Sequence, residues 1–168
     1  MSHASQTDEL FAAFRAKGPK ALACALLGEV ESCAPLFANR DTEWADRMLN
    51  RIRDWLGRRA TRNDLEKVRQ EWLRNESFDT DAGKEMDRAF THYRRACVNL
   101  SLVDSNHNIA AMVCSDLGLA AMLCHPNGNI EKAQKAQYAS LRERLDSKAS
   151  ASHFAELGAR SRNSLLAS

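Results

Sequence analysis

A chain of 168 residues that is 44% hydrophobic and 27% charged can fill one packed core and is too apolar for a disordered segment. Its 24 basic and 22 acidic side chains leave a net charge of +2, so bulk charge gives no signal for a nucleic-acid or membrane partner. Seven glycines and three prolines are few for the many turns of an all-β fold, and the composition favours helices.

The opening MSHASQTDELFAAF lacks a basic stretch followed by an apolar run, so no signal or transit peptide is expected. Apolar stretches throughout are short and broken by charge, well under the ~20 residues of a membrane span. A cytoplasmic location is expected. The five cysteines (Cys24, Cys33, Cys97, Cys114 and Cys124) are expected to be reduced thiols that mostly serve as small hydrophobes.

Thr7, Asp8 and Glu9 read as a helix start, with Leu10, Phe11 and Phe14 on its apolar side. Gly18-Pro19 ends that piece and places Pro19 at the first position of a second helix through Leu22, Leu26, Leu27 and Val30, which stops before Pro35. From Thr42 to Leu56, Trp44, Met48, Ile52 and Trp55 recur at helical spacing, and Gly57 offers the stop. Thr61 and Asp64 resemble a capping box ahead of Leu65, Val68 and Trp72. The segment NESFDTDAG reads as a polar loop.

Met86, Phe90, Tyr93, Cys97 and Leu100 then step like a bundle seam. A further helix carries Ile109, Val113, Leu117, Ala120 and Cys124, and ends at His125-Pro126 before the tight turn Asn127-Gly128-Asn129. Ile130, Tyr138, Leu141 and Leu145 mark a last long helix. The expected architecture is all-α: a single-domain antiparallel bundle of six to seven helices over residues 1–146. Residues 147–168 form a Ser/Ala-rich tail with one short turn near Phe154 and Leu157.

Four chemistries can be tested against spacing. Cys114, Cys124 and His125 lack the two ligand pairs of a structural zinc site, so neither a metal nor a cofactor is expected. A reactive cysteine needs a nearby base, yet His92 lies about 240° around its helix from Met86, away from the Cys97 seam, and His107 could approach only through tertiary folding. Asp104 and Asp116 fall on apolar faces. Either they form an acid–base pair, or Asp104 caps a helix end while Asp116 meets an arginine or a backbone N–H, and the second reading is favoured. No catalytic residue is assigned.

The fourth is surface charge. From Arg47 to Arg62 six arginines face one acid, Asp54, with Arg47, Arg51 and Arg58 on one stripe bordered by Trp44 and Trp55. That composition suits an interface hot spot or a nucleic-acid groove, and it also suits a solvated face whose arginine stems cover the tryptophans. The loop bearing Glu76, Phe78, Asp79 and Asp81 is an exposed aromatic among acids, able to dock on a basic surface or to be a plain connection.

The run CAPLFANRDTEWADRMLNRIRDWLG, with Cys33, Ala34, Pro35, Leu36, Phe37, Trp55, Leu56 and Gly57, resembles the opening of a helical immunity protein family of bacterial toxin–immunity systems. HNIAAMVCSDLGLAAML is similar to that family's alanine-rich helices, and the resemblance spans about Leu22 to Leu145. It implies a small antidote that binds one cognate toxin domain and blocks its active site, without catalytic residues. On that reading the contact residues are Arg47, Arg51, Trp55 and Arg58, or Glu76, Phe78, Asp79 and Asp81. The alternative is a helical nucleic-acid-associated regulator using the Arg47–Arg62 patch, and a third reading is an enzyme built on Asp104 and Asp116. The expected partner is a protein toxin rather than a membrane or nucleic acid, with a homodimer left open.

Overall fold

The computed structural model describes residues 3–18, 20–79, 83–103, 107–125 and 127–146. Seven α-helices occupy the described residues: α1 (His3–Lys17), α2 (Ala21–Cys33), α3 (Glu43–Leu56), α4 (Arg62–Asn75), α5 (Glu85–Leu100), α6 (His107–Leu123) and α7 (Ile130–Asp146). A short 3-10 turn, Ala34–Phe37, follows α2. No strand occurs among the described residues, and none of their helices is long and apolar enough to cross a membrane.

The architecture follows from which helices are apolar on more than one side. In α2, Leu22, Ala25, Leu26, Leu27 and Val30 are at most 3% exposed, so little of its surface is left for water. A helix that is apolar nearly all round belongs in the interior. Accordingly α2 packs against α1, α5, α6 and α7. The most extensive helix–helix packing joins α5 to α6. Ala89, Ala96, Ala110 and Ala120 are fully buried there or nearby, and their small side chains let backbones approach closely.

The α3–α4 hairpin is a separate layer. Ala45, Met48, Leu49, Ile52 and Trp55 of α3 and Leu65, Val68 and Trp72 of α4 are its buried residues. It joins the rest where α3 meets α5. Phe37, from the 3-10 turn, fills the junction, with its ring 4.9 Å from Tyr93 and 5.4 Å from Phe90. The capping box that starts α4 is present. Thr61 Oγ1 accepts from the Asp64 N–H at 3.2 Å, and Asp64 Oδ2 accepts from the Thr61 N–H at 2.8 Å.

Several expectations need correction. Helix α1 already runs at His3, so Thr7 lies inside it; nothing in HASQ breaks a helix, and the sequence signal at Thr7 marks no boundary. Gly57 does stop α3 as its C-cap, but the left-handed residue is the next one. The Arg59 N–H donates to Asp54 O at 2.7 Å and the Arg58 N–H to Trp55 O at 3.1 Å, the pair of bonds that defines a Schellman end. That pattern places Arg58 at the left-handed position, with φ 61. Met86 is not part of the seam, since it is 40% exposed. The face that meets the core is instead Ala89, His92, Tyr93, Ala96, Cys97 and Leu100, because α5 has neighbours on two sides. Asp104 and the proposed C-terminal tail lie outside the described residues, as does Pro19.

The turn after α6 matches the sequence. The Gly128 N–H donates to His125 O at 3.0 Å, and a Cβ on Gly128 would stand 2.0 Å from Met122 O. Only glycine fits that approach.

Candidate functional site

Asp116 projects from α6 into the α5–α6 interface and is fully buried. Arg95 reaches it from α5 with a fork: Nε lies 2.8 Å from Oδ2, and Nη2 lies 2.6 Å from Oδ1. His92, one turn earlier on α5, places Nδ1 2.8 Å from Oδ1. A carboxylate so gripped can only accept, so His92 carries its proton on Nδ1. The Asp116 hydrogen bond holds the Arg95 guanidinium above its ordinary range. The preferred reading of Asp116, a carboxylate met by an arginine, is what the geometry gives. His92, placed by spacing away from the Cys97 seam, is buried against α6.

A second buried network ties α2 to α7. Glu29 Oε1 accepts from the Ser140 hydroxyl and from Arg144 Nε at 2.8 Å. Glu29 is 6% exposed and Arg144 is wholly buried. Burial pushes the Glu29 carboxyl above its ordinary range, although Arg144 pulls the other way. Arg144 Nη1 and Nη2 find no acceptor among the described residues.

Neither network is arranged for nucleophilic chemistry. Burial pushes the Cys24 thiol up to about 11 and raises Cys97, Cys114 and Cys124 as well, so these sulfurs stay protonated near neutral pH. Among the described residues no group of three His, Cys, Asp or Glu side chains is placed to hold a metal ion.

Where the α3–α4 hairpin meets α5 lies a different arrangement. Trp44 of α3 stacks on Trp72 of α4 with ring centroids 6.4 Å apart. Phe78 closes edge-on against Trp72 at 5.5 Å. Three guanidinium groups lie against these rings and Phe90. Arg47 is 5.0 Å from Trp44, Arg94 is 5.1 Å from Phe78 and 5.5 Å from Phe90, and Arg40 is 5.7 Å from Phe90. Each also has its own carboxylate: Arg47 with Glu71 at 2.7 Å, Arg40 with Asp87 at 2.6 Å, and Arg94 with Glu76. The result is a ladder of alternating rings and paired guanidiniums, with Trp72 fully buried at its centre and Arg47 and Glu71 about half exposed at one end. Leu73, next to Trp72 on α4, is 37% exposed.

The structure therefore joins two patches that the sequence presents as separate. Arg47 stands at one end of the ladder; Glu76 and Phe78 lie across Trp72 from it. Phe78 is corrected from exposed to half-buried, since Trp72 and Arg94 cover it. Asp79 is exposed beside it, and Asp81 lies outside the described residues. Arg51 and Arg58 fall elsewhere. Arg51 is 3.9 Å from Asp54, and Arg58 is exposed at the end of α3.

Trp55 is not an accessible anchor. It is 7% exposed, with Lys20 Nζ 4.5 Å and the Arg62 guanidinium 4.8 Å from its ring. The arginine run is largely paired: besides Arg47 and Arg51, Arg53 meets Glu31 at 2.5 Å and Arg59 meets Asp54 at 3.3 Å.

Arg40, Glu71, Asp87 and Arg94 are functional candidates that spacing did not single out. Phe90 and Arg94, four apart on α5, are the one local hint; the other partners meet only through tertiary packing. Compared with known protein families, curated proteins and solved structures, the chain finds no match.

Proposed function

We propose that this protein is an immunity protein: it binds a cognate bacterial toxin domain and neutralises it by covering the toxin's active site. The observation that carries the reading is the ladder where the α3–α4 hairpin meets α5. Arg47, Trp44 and Phe78 present residue types common at binding hot spots, and they rest on Trp72, which has no exposed surface, and Arg94, which has little. Their side chains are already held by stacking and ion pairs, so little rotamer freedom remains to be lost on association. The half-exposed Arg47, Glu71 and Glu76 supply both signs of charge at the edge of this apolar centre, which favours rapid and selective capture.

In this reading the protein itself performs no chemistry, and the buried networks around Asp116 and Glu29 serve the scaffold. The test is co-expression with the toxin encoded by the neighbouring gene. A stable complex and restored growth are expected. The variant Arg47→Ala, which trims a half-exposed side chain, should lose at least tenfold in affinity while its unfolding midpoint stays close to that of the parent. Absence of both a complex and relief of toxicity would overturn the reading.

A further inference from the structure

Between α2, α6 and α7 lies a cavity of about 220 Å³ that opens to solvent beside the turn after α6. It exists because small residues face one another there. Gly118 and Ala121 of α6 stand opposite Ala133 and Ala136 of α7, where larger side chains would interdigitate. Protein interiors rarely keep voids much larger than a water molecule. Leu36, Leu117 and Met122 complete an apolar lining.

Two charged groups contribute to the wall, Glu29 and Lys132. Glu29 is 6% exposed, and both of its hydrogen bonds, from Ser140 and Arg144, arrive at Oε1. Oε2 accepts from no described residue and is not sealed from solvent, and Glu29 borders the cavity. A carboxylate oxygen left with an open side at the edge of an apolar void can accept from a donor that enters it.

We propose that this cavity is a binding site for a neutral, ring-sized molecule carrying one hydroxyl or amide N–H that donates to Glu29 Oε2. Size supports the class: an apolar cavity of about 150 Å³ is enough to hold benzene, so the larger volume here takes a ring with a short substituent. Charge selects neutrality. Arg144 already compensates Glu29, and Lys132 lies in the same wall, so an ammonium would add an unbalanced positive charge. A ligand carboxylate would instead meet the Glu29 carboxylate. The site is remote from the arginine–aromatic ladder in its residues and does not depend on the toxin reading.

The test titrates the full chain, labelled with ¹⁵N, with benzyl alcohol, toluene, benzylamine and benzoate. Shifts at the Gly118, Ala121 and Gly128 amides are expected with benzyl alcohol. Its affinity should exceed that of toluene, which has the ring without the donor, by roughly tenfold. Benzylamine and benzoate should both bind more weakly than benzyl alcohol. Ala121→Leu, which fills the void, should keep the parent spectrum and abolish the shifts. In Glu29→Gln the amide N–H would face the cavity, and preference should pass from benzyl alcohol to acetophenone. The proposal is overturned if benzyl alcohol at about 10 mM leaves the cavity amides unmoved, if toluene binds equally well, or if Ala121→Leu binds unchanged. Should Glu29→Gln fail to fold, the ligand series and Ala121→Leu decide alone.

Discussion

Arg95 meets Asp116 through a two-point fork, with Nε 2.8 Å from Oδ2 and Nη2 2.6 Å from Oδ1, and so fastens α5 to α6 along their most extensive contact. Asp116 has no exposed surface, whereas the Arg95 side chain is 36% exposed. Removing the acid therefore leaves a cation and His92 facing an apolar gap. Asp116→Ala should cost about 3–5 kcal/mol of unfolding free energy. Arg95→Ala should cost a similar amount, and the double variant should lose less than the sum. A urea double-mutant cycle measures that coupling. Strict additivity would mean that the fork does not hold the two helices together.

The end of α3 carries arginine where glycine is the natural occupant. Arg58 sits at φ 61 as the left-handed residue of the Schellman motif, a conformation that costs a side-chain-bearing residue about 1 kcal/mol or more. Arg58→Gly should raise stability by roughly 0.5–1 kcal/mol, the gain being trimmed by glycine's freedom in the unfolded chain. Arg58→Val should lower it. Chemical denaturation of the three proteins gives the order directly.

Gly128 answers to a different constraint. A Cβ there would stand 2.0 Å from Met122 O, an approach that cannot be relieved without moving the backbone at the end of α6. Gly128→Ala should destabilise by about 2–4 kcal/mol and shift the amide resonances of Met122 and Cys124. Gly118→Ala is the contrasting case. Its Cβ would lie an ordinary 3.5 Å from Ile130 Cδ1, so the substitution should be neutral or stabilising.

Alkaline pH should weaken the protein early. Burial pushes the Cys24 thiol from 9.0 up to about 11 and raises Cys97 and Cys114 further. A raised folded pKa means that the native chain keeps protons which the unfolded chain has released. The stabilisation is whole below the unfolded thiol value and is lost as pH climbs through the folded one. Stability should fall from about pH 9 upward, by at most about 1 kcal/mol per pH unit for each of the buried thiols Cys97 and Cys114. Denaturation under reducing conditions at pH 7.5, 9 and 10 should show that slope. Cys97→Ala/Cys114→Ala should flatten it, and an unchanged slope would contradict the assignment.

Helix placement was readable in the chain because its signals are local. Met48, Ile52 and Trp55 announce one face of α3 by spacing alone, and Thr61 with Asp64 announces the start of α4. The second buried face of α5 was not readable. Ala89 and Ala96 carry too little hydrophobic signal to mark a contact, and the neighbouring His92 reads as polar. Arg144 shows the same limit, since a charged side chain on an amphipathic helix is assigned to water until Glu29, 115 residues away, is seen beside it. The ladder gathers side chains from the 38–42 connection, α3, α4, the 76–79 segment and α5. No periodicity within a single helix contains that meeting, although its parts, Arg47, Glu76 and Phe78, stand out by composition.

The two terminal nitrogens of Arg144 are sealed inside the protein without acceptors among the described residues. Water would hydrate them at once if α7 lifted away, so the native arrangement gives up part of its stability at this point. Releasing the last described helix thus costs less at this point than its burial alone would suggest, although it also parts Arg144 from Glu29. In native-state hydrogen exchange, the amides of α7 should open at a lower free energy than those of α2, whose apolar surface has no comparable reason to meet solvent.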